Sequence, residues 1–179
     1  KRGCGGVGKT TIAKAMYEKI NGMFDGNCFL GDVRSKCLEK GCAGLKCLQE
    51  QLLCKILLTT KVEVDNVDEG ISLIERRLRA KKVLIVIDDV WSEIQLNALA
   101  GERNWFGRGS TIIVTTRNAN LLNGPGKDYE KYEVRRLDFD KSLQLFSWHT
   151  FKHPNPLEPF VEISDKIVSF AGGFPLAAL

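Results

Sequence analysis

Residues 3–11, GCGGVGKTT, fit the spacing G-x-x-x-x-G-K-[ST], with Gly3, Gly8, Lys9 and Thr10 at the specified places. That spacing suits anion binding. Gly3, Gly5, Gly6 and Gly8, with Val7 among them, leave no large side chain to block a phosphate. The glycines tolerate the positive φ that turns successive backbone N–H groups inward. Lys9 would reach the β- and γ-phosphates of a nucleotide, and Thr10 would offer its hydroxyl to Mg2+. The next stretch, TTIAKAMYEKI (10–20), reads as a helix whose positive N-terminal end faces the same phosphates. Ile12, Ala15, Met16 and Ile20 fall near a 3.6 period and are expected to form its buried face. A Gly-rich stretch can also be only a flexible terminus. The full pattern, running directly into an amphipathic helix, argues against that.

Working outward, the chain of 179 residues has 44% apolar and 27% charged residues. These values are ordinary for a globular protein with one substantial core. No apolar run approaches the length of a membrane span, so no span is expected. The net charge of +4, from 26 basic and 22 acidic residues, is too mild and scattered for a nucleic-acid surface. RRLRAKK (76–82) is expected to be the solvated end of a helix. The six cysteines include the evenly spaced Cys37, Cys42 and Cys47. Without a C-x-x-C pair or a nearby histidine, reduced thiols fit better than structural zinc.

Several segments then read as alternating elements. NCFLGDV (27–33) is expected to be a strand. GLKCLQEQLLCKILL (44–58) is a helix with Leu45, Leu48, Leu52 and Ile56 on one face. TTKVEVDNVDEG is a loop, and ISLIERRLRAKK (71–82) is a helix with Ile71, Ile74 and Leu78 inward. KVLIVIDDVW (82–91) holds a continuous apolar run, as a strand covered on both faces requires. EIQLNAL is a short helix, GRGSTIIVTTRN (107–118) holds a second buried strand, and a further strand is expected near Tyr132–Val134. The alternation predicts an α/β fold with a parallel sheet and helices on both faces. Residues 138–151 and 159–173 are expected to be helical, with Asp140 as the first N-cap. The expected domains are a nucleotide-binding unit over 1–136 and the start of a small all-helical unit over 137–179.

Two more clusters carry chemistry. Asp88 and Asp89 end an apolar strand, where ligands of open parallel sheets bind. Asp88 would serve the Mg2+ shell, and Asp89 would orient or deprotonate an attacking water. The other reading is that the pair caps the next helix. Thr115, Thr116 and Arg117 end the next strand and could sense a γ-phosphate, Arg117 through its forked, permanent charge; a surface salt bridge is the alternative. Pro175, in GGFPLAAL (172–179), is either a rigid wall for an adenine ring or a helix-start proline.

In order, GCGGVGKTT, KKVLIVIDDVW, GSTIIVTTRN and GGFPLA resemble the NB-ARC domain of plant NLR disease-resistance proteins. CFLGDVRSK and YEVRRLDFDKSLQLFSWHTFKHPNP resemble motifs of the TIR-type subclass, whereas Trp91 is the residue usual in coiled-coil members. The resemblance covers essentially the whole chain. It implies a P-loop ATPase switch, resting with ADP and opened by exchange for ATP. Gly8, Lys9, Thr10 and Thr11 would bind phosphates and Mg2+, with Asp88 on the metal and Asp89 catalytic. Arg117 would be the γ-phosphate sensor, and Pro175 would contact adenine in the helical ARC1 unit. Cys4 stands where methionine is common, which a backbone-lined loop tolerates. The resemblance further implies TIR or coiled-coil and leucine-rich-repeat domains in cis, a homo-oligomer on activation, and a cytoplasmic, also nuclear, location. It implies an upstream strand before the loop as well. Five apolar side chains at ~1.5–3 kcal/mol each rival a whole domain's ~5–15 kcal/mol. The segment alone is therefore expected to fold poorly and bind nucleotide weakly.

Two rival functions remain open from the residues. A metabolic phosphotransferase would need an acceptor pocket and usually an Arg-rich lid, and no such lid is evident between the second and third clusters. A scaffold that binds nucleotide without turnover is not favoured while Lys9 and the Asp88–Asp89 pair are intact.

Overall fold

The structure is a computed structural model and describes residues 5–123 and 129–177. Gly3 and Cys4 lie outside the described residues. The chain packs as two units, one of residues 10–123 and one of residues 5–9 with 129–177.

The first unit carries most of helix α1 (Lys9–Ile20), strand β1 (Gly26–Leu30), and helices α2 (Val33–Lys40), α3 (Cys42–Leu57) and α4 (Val67–Leu78). Strand β2 (Val83–Val90), helix α5 (Glu93–Ala100) and strand β3 (Thr111–Thr116) follow. The three strands are parallel in the order β1-β2-β3, with Cys28 opposite Ile85 and Ile85 opposite Ile112. β2 is central, and Val83 to Ile87 are wholly buried, so both of its faces are covered. That is why its sequence is a continuous apolar run instead of an alternating one. α3 packs on β1, α2, α4 and α5. Its expected face, Leu45, Leu48, Leu52 and Ile56, is buried, as are Ile74 and Leu78 of α4.

Several expectations are corrected. α2 occupies residues read only as strand end and connection, and α4 starts at Val67, inside the stretch read as loop. Asn66 caps α4, its side chain accepting the Glu69 N–H. In α1, Ile12 and Met16 are exposed while Ala13 is buried. The Thr10 hydroxyl is bonded to Asp88. That fixes the helix rotation and turns inward the residues at i+3 and i+7, Ala13 and Tyr17. Tyr17 donates to Asn27 Oδ1 at 2.5 Å and meets the Phe29 ring edge-on at 5.7 Å.

The second unit holds α6 (Phe139–Phe151) and α7 (Val161–Ala171), which pack on each other. Asp138, not Asp140, caps α6, accepting the Lys141 N–H at 2.9 Å. The strand expected near 132–134 is absent: residues 129–138 have no regular structure. Tyr132 is 83% exposed and no strand pairs there. The Leu137 N–H instead reaches the Gly173 carbonyl at 2.9 Å. Gly173 has φ 78°, and a Cβ there would stand 2.4 Å from the Leu137 oxygen, so glycine is required.

Among the described residues no helix is long and apolar enough to cross a membrane.

Candidate functional site

Each strand of a parallel sheet delivers its last residues to one edge. Here β2 delivers Asp88 and Asp89, and β3 delivers Thr115, Thr116 and Arg117. Pairing runs Ile87 opposite Val114, then shifts, so that Val90 stands opposite Thr116. Asp89 takes up the shift with φ 58°, left-handed for a residue that is not glycine.

Asp88 is 3% exposed. Its carboxylate accepts from the Thr10 hydroxyl at 2.8 Å and 3.1 Å, and from the Thr115 hydroxyl at 2.7 Å. Thr115 Oγ1 also accepts the Asp89 N–H at 2.9 Å. Thr116 donates to the Val90 carbonyl at 2.8 Å and accepts the Asn118 N–H at 3.0 Å. Arg117 Nε lies 3.3 Å from Asp89 Oδ1, with side chains 46% and 24% exposed, so the salt-bridge reading describes Arg117 as it stands. The helix-cap reading of the acidic pair fails. Ser92 and Gln95 cap α5 through a capping box, and neither aspartate takes part. Thr11 is exposed and outside this cluster.

In the second unit Gly6 has φ 79° and Gly8 φ 92°. Among the described residues nothing lies within 4 Å of where a Gly8 Cβ would stand. Gly5 is exposed, Val7 is buried, and Lys9 opens α1. Pro175 begins a 3-10 turn over Pro175–Ala177, the helix-start reading. The Leu176 N–H points to the Gly6 carbonyl at 3.5 Å, and the Phe174 ring, next to Gly6, carries the Arg136 guanidinium at 4.1 Å.

The residues fit the groups that the sequence suggests. Thr10 and Asp88 bring a hydroxyl and a carboxylate to one point, the hard oxygen donors that Mg2+ prefers. Among the described residues no group of three His, Cys, Asp or Glu is placed to hold a metal. One hydroxyl and one carboxylate suit an ion that keeps waters and phosphate oxygens. The left-handed glycines suit an anion nest.

The bridging role of Thr115 was not legible in the sequence. The signal available was a hydroxyl residue ending an apolar strand, beside another strand ending in carboxylates.

The family model for the NB-ARC domain matches residues 2–155. TMV resistance protein N of Nicotiana glutinosa is 42% identical over 98% of this chain and 15% of its own length. Disease resistance protein RUN1 of Vitis rotundifolia is 38% identical over 98% of this chain and 13% of its own. Disease resistance-like protein DSC1 of Arabidopsis thaliana is 36% identical over 96% and 14%. The chain thus spans 15% or less of these relatives. The chain belongs to the NB-ARC family of nucleotide-binding P-loop domains.

Proposed function

We propose that the chain is the ADP/ATP-binding switch of a plant immune receptor, returning to its ADP-bound resting state by slow Mg2+-dependent hydrolysis. The observation that carries this is the Thr10 hydroxyl donating to the Asp88 carboxylate, which joins the residue after the P-loop lysine to the end of β2. The names of its relatives, disease-resistance proteins of three plants, support the immune setting. TIR or coiled-coil and leucine-rich-repeat partners in cis, homo-oligomerisation, a cytoplasmic or nuclear location and a domain boundary near 136/137 belong to this reading.

Gly5, Gly6, Val7, Gly8 and Lys9 would cradle the phosphates, and Thr10 and Asp88 would hold Mg2+. Thr11 would add a phosphate contact and Pro175 an adenine contact. Bound Mg2+ would neutralise phosphate charge. Asp89, less buried than Asp88, would orient a water and take its proton. Arg117, now paired with Asp89, would move to a γ-phosphate, to which its fork can bind with two N–H groups.

The test is equilibrium ADP binding and single-turnover hydrolysis on the intact protein. Lys9→Arg is expected to abolish binding, because a planar guanidinium cannot replace a compact ammonium in the nest. Asp89→Ala is expected to slow hydrolysis by about a hundredfold while ADP affinity changes little, and Asp88→Ala to slow it more than it weakens ADP binding. Hydrolysis at the parental rate in both aspartate variants would overturn the assignment of the carboxylates.

A further inference from the structure

We propose that Thr115 is a positioning residue for the acidic pair: its one hydroxyl fixes both the Asp88 carboxylate and the left-handed turn at Asp89. This rests on the nucleotide reading above and names the part that prepares the cation site.

A threonine hydroxyl has one proton to give and two lone pairs. At Thr115 the proton is committed to Asp88 Oδ1 at 2.7 Å, and a lone pair takes the Asp89 N–H at 2.9 Å. Thr115 is 8% exposed, so water does not compete freely for either bond. The residue therefore has no proton left for a phosphate. It acts on the site through the two aspartates.

Both bonds have consequences. The register shift falls between Ile87 and Val90, and across it the Asp89 N–H goes to the Thr115 side chain. A left-handed conformation at a non-glycine residue persists only when its surroundings hold it, and the Thr115 oxygen does so from one side. Thr116 closes the turn from the other, donating to the Val90 carbonyl. The conformation so held leaves the Asp89 carboxylate beside Arg117. At Asp88, Thr115 and Thr10 both donate to Oδ1, while among the described residues Oδ2 takes only the longer Thr10 bond. The carboxylate is pinned through one oxygen, and the other keeps acceptor capacity for a cation. A serine at 115 would preserve this arrangement; a valine, nearly the same shape, would remove it.

The experiment compares Thr115→Val and Thr115→Ser with the parent in the intact protein, titrating ADP with and without Mg2+. In T115V, ADP affinity without Mg2+ is expected to stay within about twofold of the parent. The gain in affinity on adding Mg2+ should fall about tenfold, as for loss of a hydrogen bond to a charged group. T115S should keep the parental gain. A second readout needs no ligand: amide exchange of the peptide over 86–91 in the nucleotide-free protein, faster in T115V and parental in T115S. Parental Mg2+ gain and parental exchange in T115V overturn the positioning role alone. A parent that binds ADP with no gain from Mg2+ overturns the cation reading and this proposal with it. If T115V does not fold, Thr115→Ala is measured in its place. Should every variant without the hydroxyl unfold while T115S folds, the hydroxyl serves stability and not the site, and the proposal is overturned.

Discussion

Cys28 lies on β1 with 1% of its surface exposed, opposite Ile85. Burial pushes its thiol up from 9.0 to about 12, against the opposing pull of Lys55 and Lys36. At pH 8 the thiolate fraction is then about one in ten thousand, and the thiolate is the nucleophile. Iodoacetamide at that pH is expected to label the exposed Cys42 and Cys47 and to spare Cys28 until the protein is denatured. Peptide mass spectrometry reads the result, and labelling of Cys28 at the rate of Cys42 would contradict it. The linked stability has a definite sign. The folded thiol titrates above its unfolded value, so its contribution is full below pH 9 and fades as pH rises from 9 toward 12. At this scale the sequence told only part of the story. It marked Asp88, Asp89 and Arg117 as strand-end groups, because apolar runs announce where strands stop. It could not pair Thr115 with two aspartates, since that depends on a register shift visible only across strands.

Three helices meet on one buried side chain, Gln49 of α3. Its amide donates to the Ala98 carbonyl of α5 at 2.9 Å and to the Val67 carbonyl of α4 at 3.0 Å. Gly70 of α4 faces it so closely that a Cβ there would stand 2.0 Å from Gln49 Oε1. Gly70→Ala would ordinarily favour a helix by about 1 kcal/mol. Here it is expected to destabilise by about 1–3 kcal/mol, as overpacking does. Gln49→Ala should cost about 1–3 kcal/mol by removing both of these bonds from a buried site. Because it also removes the clash, the double variant should lose less than the sum. Urea denaturation measures all three, and strict additivity would show that the two residues do not meet. Elements with a strong period or a pure apolar run, α3, β2 and β3, were legible. α2 was not, since VRSKCLEK is mostly polar and its place is set by packing on α3. The run at 132–134 has strand-forming residues, but a strand exists only with a ladder partner, and Leu137 bonds to Gly173 instead. The inward face of α1 was misjudged for a related reason. A hydroxyl bonded to a neighbouring strand sets the helix rotation more firmly than Ile12 and Met16 do.

Across the residues 10–123 unit the sheet is covered unevenly. β2 is buried along its length except at Asp89, whereas Ile112, Ile113 and Val114 of β3 are only half-buried. Among the described residues β3 pairs with β2 on one side and with no strand on the other. An open edge carrying β-branched apolar residues has unmet N–H and C=O groups and invites pairing with other chains. A further strand along that edge would satisfy those groups and finish burying three side chains. At no more than about a third of the ~1.5–3 kcal/mol for full burial of each, and about 2–4 °C per kcal/mol for a chain of this size, the gain is roughly 3–12 °C. An apolar segment joined ahead of the chain can supply such a strand. Extending the chain upstream through an apolar run is therefore expected to raise the melting temperature by that amount and to reduce aggregation. Placing lysine at alternate positions of that run should remove the gain, since it puts charge on one face of the new strand while leaving the backbone free to pair. Thermal melts with light scattering on the three forms decide it. An extension that leaves the melt of the parent chain unmoved would mean that β3 is a true edge of this sheet.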